Sequence, residues 1–278
     1  MIEIKQLSFG YKKKNPIFHK LSLTVKKGRV TGLLGVNGTG KSTLLYLMSG
    51  LLRPWQGEVL LHDTNVAERR PSTLQKMFIV PEEFELPDIT LKKYAKVTAP
   101  FYPKFSHEQL ISCLNVFNMP EDIRLGELSM GQKKKAFICF ALATNVDFLA
   151  LDEPTNGLDI PSKSRFRKAI AMGMSDEKSV IISTHQVRDI DSMLDHILII
   201  DGNNVLLNAD TEQISDKLLF TDRSSEEEGE EVIFAQPGIN GNNILMRNTS
   251  GRESRIDIEL LFNATLSERE KIAKLFRE

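Results

Sequence analysis

Cysteine is scarce, net charge is nearly absent, and no apolar run approaches membrane-spanning length; each shortage removes a class of function. Only Cys113 and Cys139 occur in 278 residues. Both lie in stretches of helical pattern, which reads as small buried thiols in a reducing compartment rather than a disulfide framework. The 36 Lys and Arg against 37 Asp and Glu leave a net charge of -1, so no bulk field favours nucleic acid, and no nucleic-acid partner is expected. The short basic runs Lys12 to Lys14 and Lys133 to Lys135 read as solvated surface. Apolar stretches such as Phe137 to Ala143 and Ile197 to Ile200 fall far short of the roughly 20 residues that cross a bilayer. The opening Met1 to Gly10 alternates as a strand and has neither a basic start nor a long apolar core, so no signal peptide is expected. A cytoplasmic chain follows, with any membrane work assigned to a partner.

What is present reads as an ordinary globular α/β chain. With 41% apolar and 26% charged residues, its length suits one large domain and a smaller appendage. Ile2 to Ser8 and Ile17 to Val25 alternate as antiparallel strands, followed by the apolar run Arg29 to Leu34. A helix is expected from Lys41 to about Leu52, then strands at Glu58 to Leu61 and Met77 to Val80. Leu91 to Leu128 is mostly helical in pattern with breaks at Pro100, Pro103 and Pro120, a helical insert spanning about 84–145. Gly131 to Thr144 and Pro161 to Ala171 read as helices, Phe148 to Leu151 and Val180 to Ser183 as buried strands. Strands alternating with helices predict a mostly parallel sheet. The domains are thus drawn as residues 1–217, an acidic linker at 218–231 containing Ser224 to Glu231, and a small α+β extension at 232–278. In that extension Val232 to Ala235, Ile244 to Arg247 and Arg255 to Glu259 are expected as short strands before a helical tail.

Chemistry concentrates in two motifs. Gly35-Val36-Asn37-Gly38-Thr39-Gly40-Lys41-Ser42 fits the P-loop pattern between an apolar strand and a helix. Glycines let the backbone wrap and turn its N–H groups toward phosphate oxygens, and the helix N-terminus adds a favourable dipole. Gly35, Asn37, Gly38, Thr39, Gly40, Lys41, Ser42 and Thr43 are therefore candidate ATP contacts, with Lys41 on the β- and γ-phosphates and Ser42 on Mg²⁺. Phe148 to Asp152 is an apolar strand ending in a carboxylate that would approach Mg²⁺, and Glu153 follows directly, placed to orient or deprotonate a water.

Leu128-Ser129-Met130-Gly131-Gln132 resembles the signature of ABC ATPases, with Met130 where the family usually has glycine. The resemblance extends over about Ile2 to Asn208. It makes Tyr11 the aromatic that stacks on adenine, Gly157-Leu158-Asp159 the D-loop, and His185 the switch histidine. It implies an ABC-type P-loop fold: an antiparallel β subdomain, a mostly parallel core sheet and a helical subdomain. It also implies that two such chains pair head to tail, so that Ser129, Gly131 and Gln132 of one face the γ-phosphate held by the other. At Val80-Pro81-Glu82-Glu83, Glu82 stands where the family usually has a glutamine that touches Mg²⁺ and the attacking water. A carboxylate there can ligate metal but adds negative charge and donates no hydrogen bond when ionised.

Only 87 residues separate Lys41 from Ser129, positions 42 to 128, too few for the coiled coil of the chromosome-maintenance relatives. The short insert resembles a transporter's helical subdomain, and Phe84, Leu86, Tyr94, Phe101, Tyr102 and Phe105 are candidates either for a groove that receives the membrane subunit or for plain core. The expected function is the ATP-hydrolysing subunit of an ABC transporter at the cytoplasmic face of the membrane. It would work with Mg²⁺, a separate transmembrane permease subunit and a second ATPase chain. Export is the favoured direction, by likeness of layout to bacterial export systems. A soluble relative such as the ATPase of iron–sulfur cluster assembly is the alternative.

Overall fold

The structure, a computed structural model, describes residues 1–221, 231–238 and 241–277. From the N-terminus its elements are β1 (Ile2–Phe9), β2 (Phe18–Val25), β3 (Val30–Leu34), α1 (Lys41–Met48), β4 (Gln56–Leu61), β5 (Thr64–Asn65), α2 (Pro71–Leu74) and β6 (Met77–Val80). The middle contributes α3 (Leu91–Thr98), α4 (His107–Phe117), α5 (Met130–Ala143), β7 (Phe148–Asp152), α6 (Ile160–Gly173) and β8 (Ser179–Ser183). The last third holds β9 (His196–Asp201), β10 (Asn204–Asp210), α7 (Thr211–Lys217), β11 (Leu218–Thr221), β12 (Val232–Gly238), β13 (Gly241–Arg247), α8 (Ile258–Ser267) and α9 (Arg269–Arg277).

Among the described residues three sheets form. One is antiparallel in the order β2-β1-β4-β5; the second runs β10-β9-β3-β8-β7-β6, parallel except for the β10 edge; the third is β11-β13-β12. Every residue of β3, β7 and β8 is buried. That matches the uninterrupted apolar lettering of strands covered on both faces. Residues of α1 such as Leu44, Leu45 and Leu47 fill the space between the antiparallel sheet and the parallel sheet.

The helices start where side chains can satisfy their first N–H groups. Thr90 accepts from Lys93 N, Ser106 from Gln109 N, and Asp159 from Ser162 N. Between α3 and α5 the insert is held by aromatic side chains: Phe78, Tyr94, Tyr102, Phe105 and Phe137 surround or approach Phe140 with ring centroids 5.0–6.4 Å apart along the chain of contacts. Of the six groove candidates, Phe84, Leu86, Tyr94, Tyr102 and Phe105 pack against this core, and Phe101 alone stays out, 70% exposed.

Two expectations change. Residues 218–221, drawn as linker, are strand β11, paired with β13 from Leu218↔Arg247 to Thr221↔Ile244. The rest of the acidic segment, 222–230, lies outside the described residues, and Glu231 leads into β12. Arg255 to Glu259 is not a strand: its alternation is short, Asp257 accepts from Leu260 N as an N-cap, and α8 begins at Ile258. Strands β9 and β10 and helix α7 complete the chain without having been assigned from sequence.

Lys178 ties the helices together. Its ammonium, 2% exposed, donates to Gly173 O at 2.6 Å, Leu142 O at 3.3 Å and Asn145 Oδ1 at 3.2 Å, joining the C-terminal ends of α5 and α6. Burial pushes its pKa down to about 8 from the ordinary value of 10.5. Between those two values the unfolded chain binds a proton that the folded chain has released, so this group makes stability rise with pH across that window. Lys178→Met should lower unfolding free energy by about 2–4 kcal/mol, by stranding buried carbonyls. It should also flatten the stability slope between pH 8 and 10, both read by urea denaturation.

Candidate functional site

Strand order decides which loops meet. Because β3, β8, β7 and β6 are neighbours and parallel, their carboxyl ends open on one edge, the place where such sheets hold ligands. Leu33, Ser183 and Asp152 stand in one row across β3, β8 and β7, and Val80 pairs with Leu151 one residue before it. Each of those strands runs into a sequence motif: the P-loop after β3, His185 after β8, Glu153 after β7 and Glu82 after β6.

The P-loop wraps toward the start of α1. Gly40, its N-cap, has φ +98°, and a Cβ there would sit 2.8 Å from the Phe18 ring, so only glycine fits. Thr39 Oγ1 donates to Val36 O at 2.8 Å. Lys41 is nearly buried, with its Nζ donating to Gly35 O at 2.8 Å and Val36 O at 3.2 Å. Burial draws its pKa below the ordinary value, while the Glu153, Asp152 and Glu82 carboxylates pull the other way.

At the end of β7 two carboxylates are fixed by one serine. Ser183 Oγ accepts from Glu153 N at 3.2 Å and donates to Asp152 Oδ1, and Ser183 O also accepts from Glu153 N at 3.1 Å. Glu153 takes φ +45°, the left-handed region, which turns its side chain out of the strand line. Its Oε1 meets His185 Nδ1 at 2.8 Å. Asp152 Oδ2 and Glu153 Oε2 are buried and find no partner among the described residues. Unpartnered carboxylate oxygens on successive residues at a strand end fit a divalent cation and a polarised water.

A cavity of about 500 Å³ is lined by Tyr11, Ile17, Asn37, Gly38, Gly40, Lys41, Ser42, Thr43, Glu82, Glu153 and His185. It gathers most of the residues expected from sequence. Tyr11 is 65% exposed, its ring edge against Phe9 and its hydroxyl 3.3 Å from Thr43 Oγ1. Ser129, Gly131 and Gln132 do not line the cavity; they begin α5, where Ser129 and Gln132 close a reciprocal capping box at 3.3 and 3.0 Å. Asp159 caps α6, and its bond from Ser162 holds its pKa low.

Sequence reading missed three participants: Ser183 as the clamp just described, Asn156, whose Nδ2 donates to Glu82 Oε1 at 3.0 Å, and the buried Lys134. Asn156 stands three residues after Glu153 in a segment already singled out, which was the only available signal. Residues Lys163 and Arg167 of α6 brace the loop after His185, through Gln186 Oε1, the Asp189 carboxylate and Asp189 O.

A phosphate-wrapping loop, paired strand-end carboxylates and a histidine on one sheet edge define a P-loop nucleotide hydrolase. The family profile described as ABC transporter matches residues 18–156. Among curated relatives, the ABC transporter ATP-binding protein YtrB of Bacillus subtilis is 28% identical over 79% of this chain and 75% of its own. The high-affinity zinc uptake ATP-binding protein ZnuC of the same organism is 29% identical over 71% and 90%. The Nod factor export ATP-binding protein I of Burkholderia orbicola is 32% identical over 66% and 63%. A dimeric ATP-binding cassette solved with ADP and Pi shares the fold, with TM-score 0.65, 22% identity and coverage of 76% and 98%. The chain belongs to the ABC transporter family and is an ATP-binding, ATP-hydrolysing subunit.

The expectation that Tyr11 acts through its ring face, and not through the hydroxyl 3.3 Å from Thr43 Oγ1, has a direct test. Tyr11→Ala should weaken ATP binding by about tenfold, the scale of one lost stacking contact. Tyr11→Phe and Tyr11→Trp should stay within about twofold by calorimetry.

Proposed function

We propose that this chain energises transport through a separate membrane-spanning permease, docked at the cytoplasmic face of the membrane, and that it does so as one of two ATPase chains closing on ATP. No helix among the described residues is long and apolar enough to cross a membrane, so the reading needs that partner. Relatives are named for both uptake and export; export is our reading of the direction, from the likeness of layout already noted.

In this reading Tyr11 supports adenine, and the P-loop N–H groups with Lys41 hold the β- and γ-phosphates. Ser42, Asp152 and Glu82 would hold Mg²⁺, which when bound neutralises charge developing on the phosphate oxygens. Glu153, oriented by His185, accepts the proton of the attacking water through its free Oε2. The water oxygen bonds to the γ-phosphorus as the bond to the β–γ bridging oxygen breaks, giving ADP and phosphate. Ser129 and Gly131 of the second chain, at the start of a helix with unpaired N–H groups, close on the γ-phosphate. The observation that carries the reading is the Glu153 carboxylate: one oxygen on His185, the other unpartnered among the described residues, beside Lys41 in the same cavity.

Glu153→Gln keeps shape and hydrogen bonding and removes the base. Hydrolysis should fall by about 10²-fold or more while ATP affinity stays within about twofold. The variant should accumulate as an ATP-dependent dimer in size-exclusion chromatography. Hydrolysis near the wild-type rate would overturn the assignment of Glu153; a monomer with ATP bound would overturn the closing of two chains without the permease.

A further inference from the structure

The turn that presents Glu153 needs to be held from outside, because a non-glycine residue in the left-handed region costs of order 1 kcal/mol or more unless its surroundings fix it. Its N–H is fixed by Ser183, as described. Its carbonyl is fixed from a different element: Lys134 Nζ, on the second turn of α5, donates to Glu153 O at 3.1 Å and to Asn156 O at 3.1 Å. Lys134 is only 4% exposed. A buried ammonium is costly, and its position is otherwise unexplained, because two neutral carbonyls do not by themselves call for a full charge.

The surroundings supply the reason. Burial draws the Lys134 pKa below its ordinary value, while the carboxylates of Glu82, Glu153, Asp152 and Glu83 pull the other way. Two of those carboxylates, Glu82 and Glu153, line the cavity that also holds Lys41. Asn156 completes a path: its carbonyl accepts from Lys134, and its side-chain amide donates to Glu82 Oε1. Gly131, one turn before Lys134, lies so near the same segment that a Cβ would come within 2.9 Å of Gly157 O. Helix α5 is thus seated on the 153–157 turn at two successive levels.

We propose that Lys134 is a positioning residue of the hydrolytic site, which clamps the Glu153–Asn156 turn. Through Asn156 the same contact sets the place of Glu82. The helix that begins with Ser129 and Gly131 is thereby joined to the water-activating turn inside one chain. The inference rests on the assignment of Glu153 above.

The test is a double-mutant cycle on the full chain, with ATP turnover, ATP affinity by calorimetry and thermal melting for each variant. Lys134→Gln should lower kcat by about tenfold or more with ATP affinity within about twofold, since the clamp orients Glu153 without touching nucleotide. Because Lys134 and Asn156 act on one turn, Asn156→Ala placed in the Lys134→Gln background should lower kcat by less than about twofold further, although Asn156→Ala alone lowers it by more. A purely structural lysine would give the same loss in either background, and that additivity, or a Lys134→Gln kcat within about twofold of wild type, would overturn the proposal. If Lys134→Gln fails to fold by melting, Asn156→Ala on the half-buried turn cuts the same path; it should lower kcat with affinity kept, and a wild-type kcat overturns the proposal. Glu153→Gln run alongside separates the two failures: retained hydrolysis there removes the assignment of Glu153, whereas an inactive Glu153→Gln with an additive cycle removes only the role of Lys134.

Discussion

Like charge has to be gathered in one place before this site can work. Asp152, Glu153 and Glu82 converge on the edge where a triphosphate would lie, and two carboxylates about 5 Å apart repel by roughly 3 kcal/mol at an effective dielectric near 20. The remainder of the structure answers that repulsion. Two buried lysines, Lys41 and Lys134, stand among the three carboxylates. Ser183 satisfies one oxygen of Asp152, and the other has no partner among the described residues. Such a site can only be built on a rigid frame, because small displacements change each Coulomb term. The frame is a parallel sheet whose central strands are buried throughout.

The order of the strands makes the convergence possible. A chain that visits β3, then β6, then β7, then β8 in sequence places them as β3-β8-β7-β6 in space. Loops far apart in sequence therefore open side by side, and each contributes one or two functional residues. The buried apolar strands and their shared register row leave little freedom to slip, since a one-residue shift would turn Asp152 away from Ser183.

This arrangement explains which parts could be read from the sequence. The P-loop and the Asp152-Glu153 pair are contiguous and sit at strand ends, so composition and periodicity located them without any knowledge of neighbours. Ser183, Asn156 and Lys134 act only through contacts with residues 19 to 74 positions away, and a lone buried lysine inside Lys133-Lys134-Lys135 looks like solvated surface until the helix face is known. The 196–201 strand was visible only as an apolar run. Arg255 to Glu259 misled because five alternating residues fit a strand and a helix start equally well, and the Asp257 cap decides between them.

The C-terminal segment bears on the site through the loop after His185. Arg188 pairs with Glu259 at the start of α8, and Arg255 pairs with Asp191, so the extension grips that loop from one side while Lys163 and Arg167 of α6 grip it from the other. Exposed pairs of this kind contribute little to stability individually, and the hold comes from the packing beneath them. Ile258, Leu260 and Leu261 belong to the same hydrophobic cluster as Ile182, Ile190 and Leu194 around the switch loop. Strand β11, β13 and α8 are therefore continuous with the core that supports His185. A change in how α8 packs would reach the Glu153–His185 bond by way of residues 187–191.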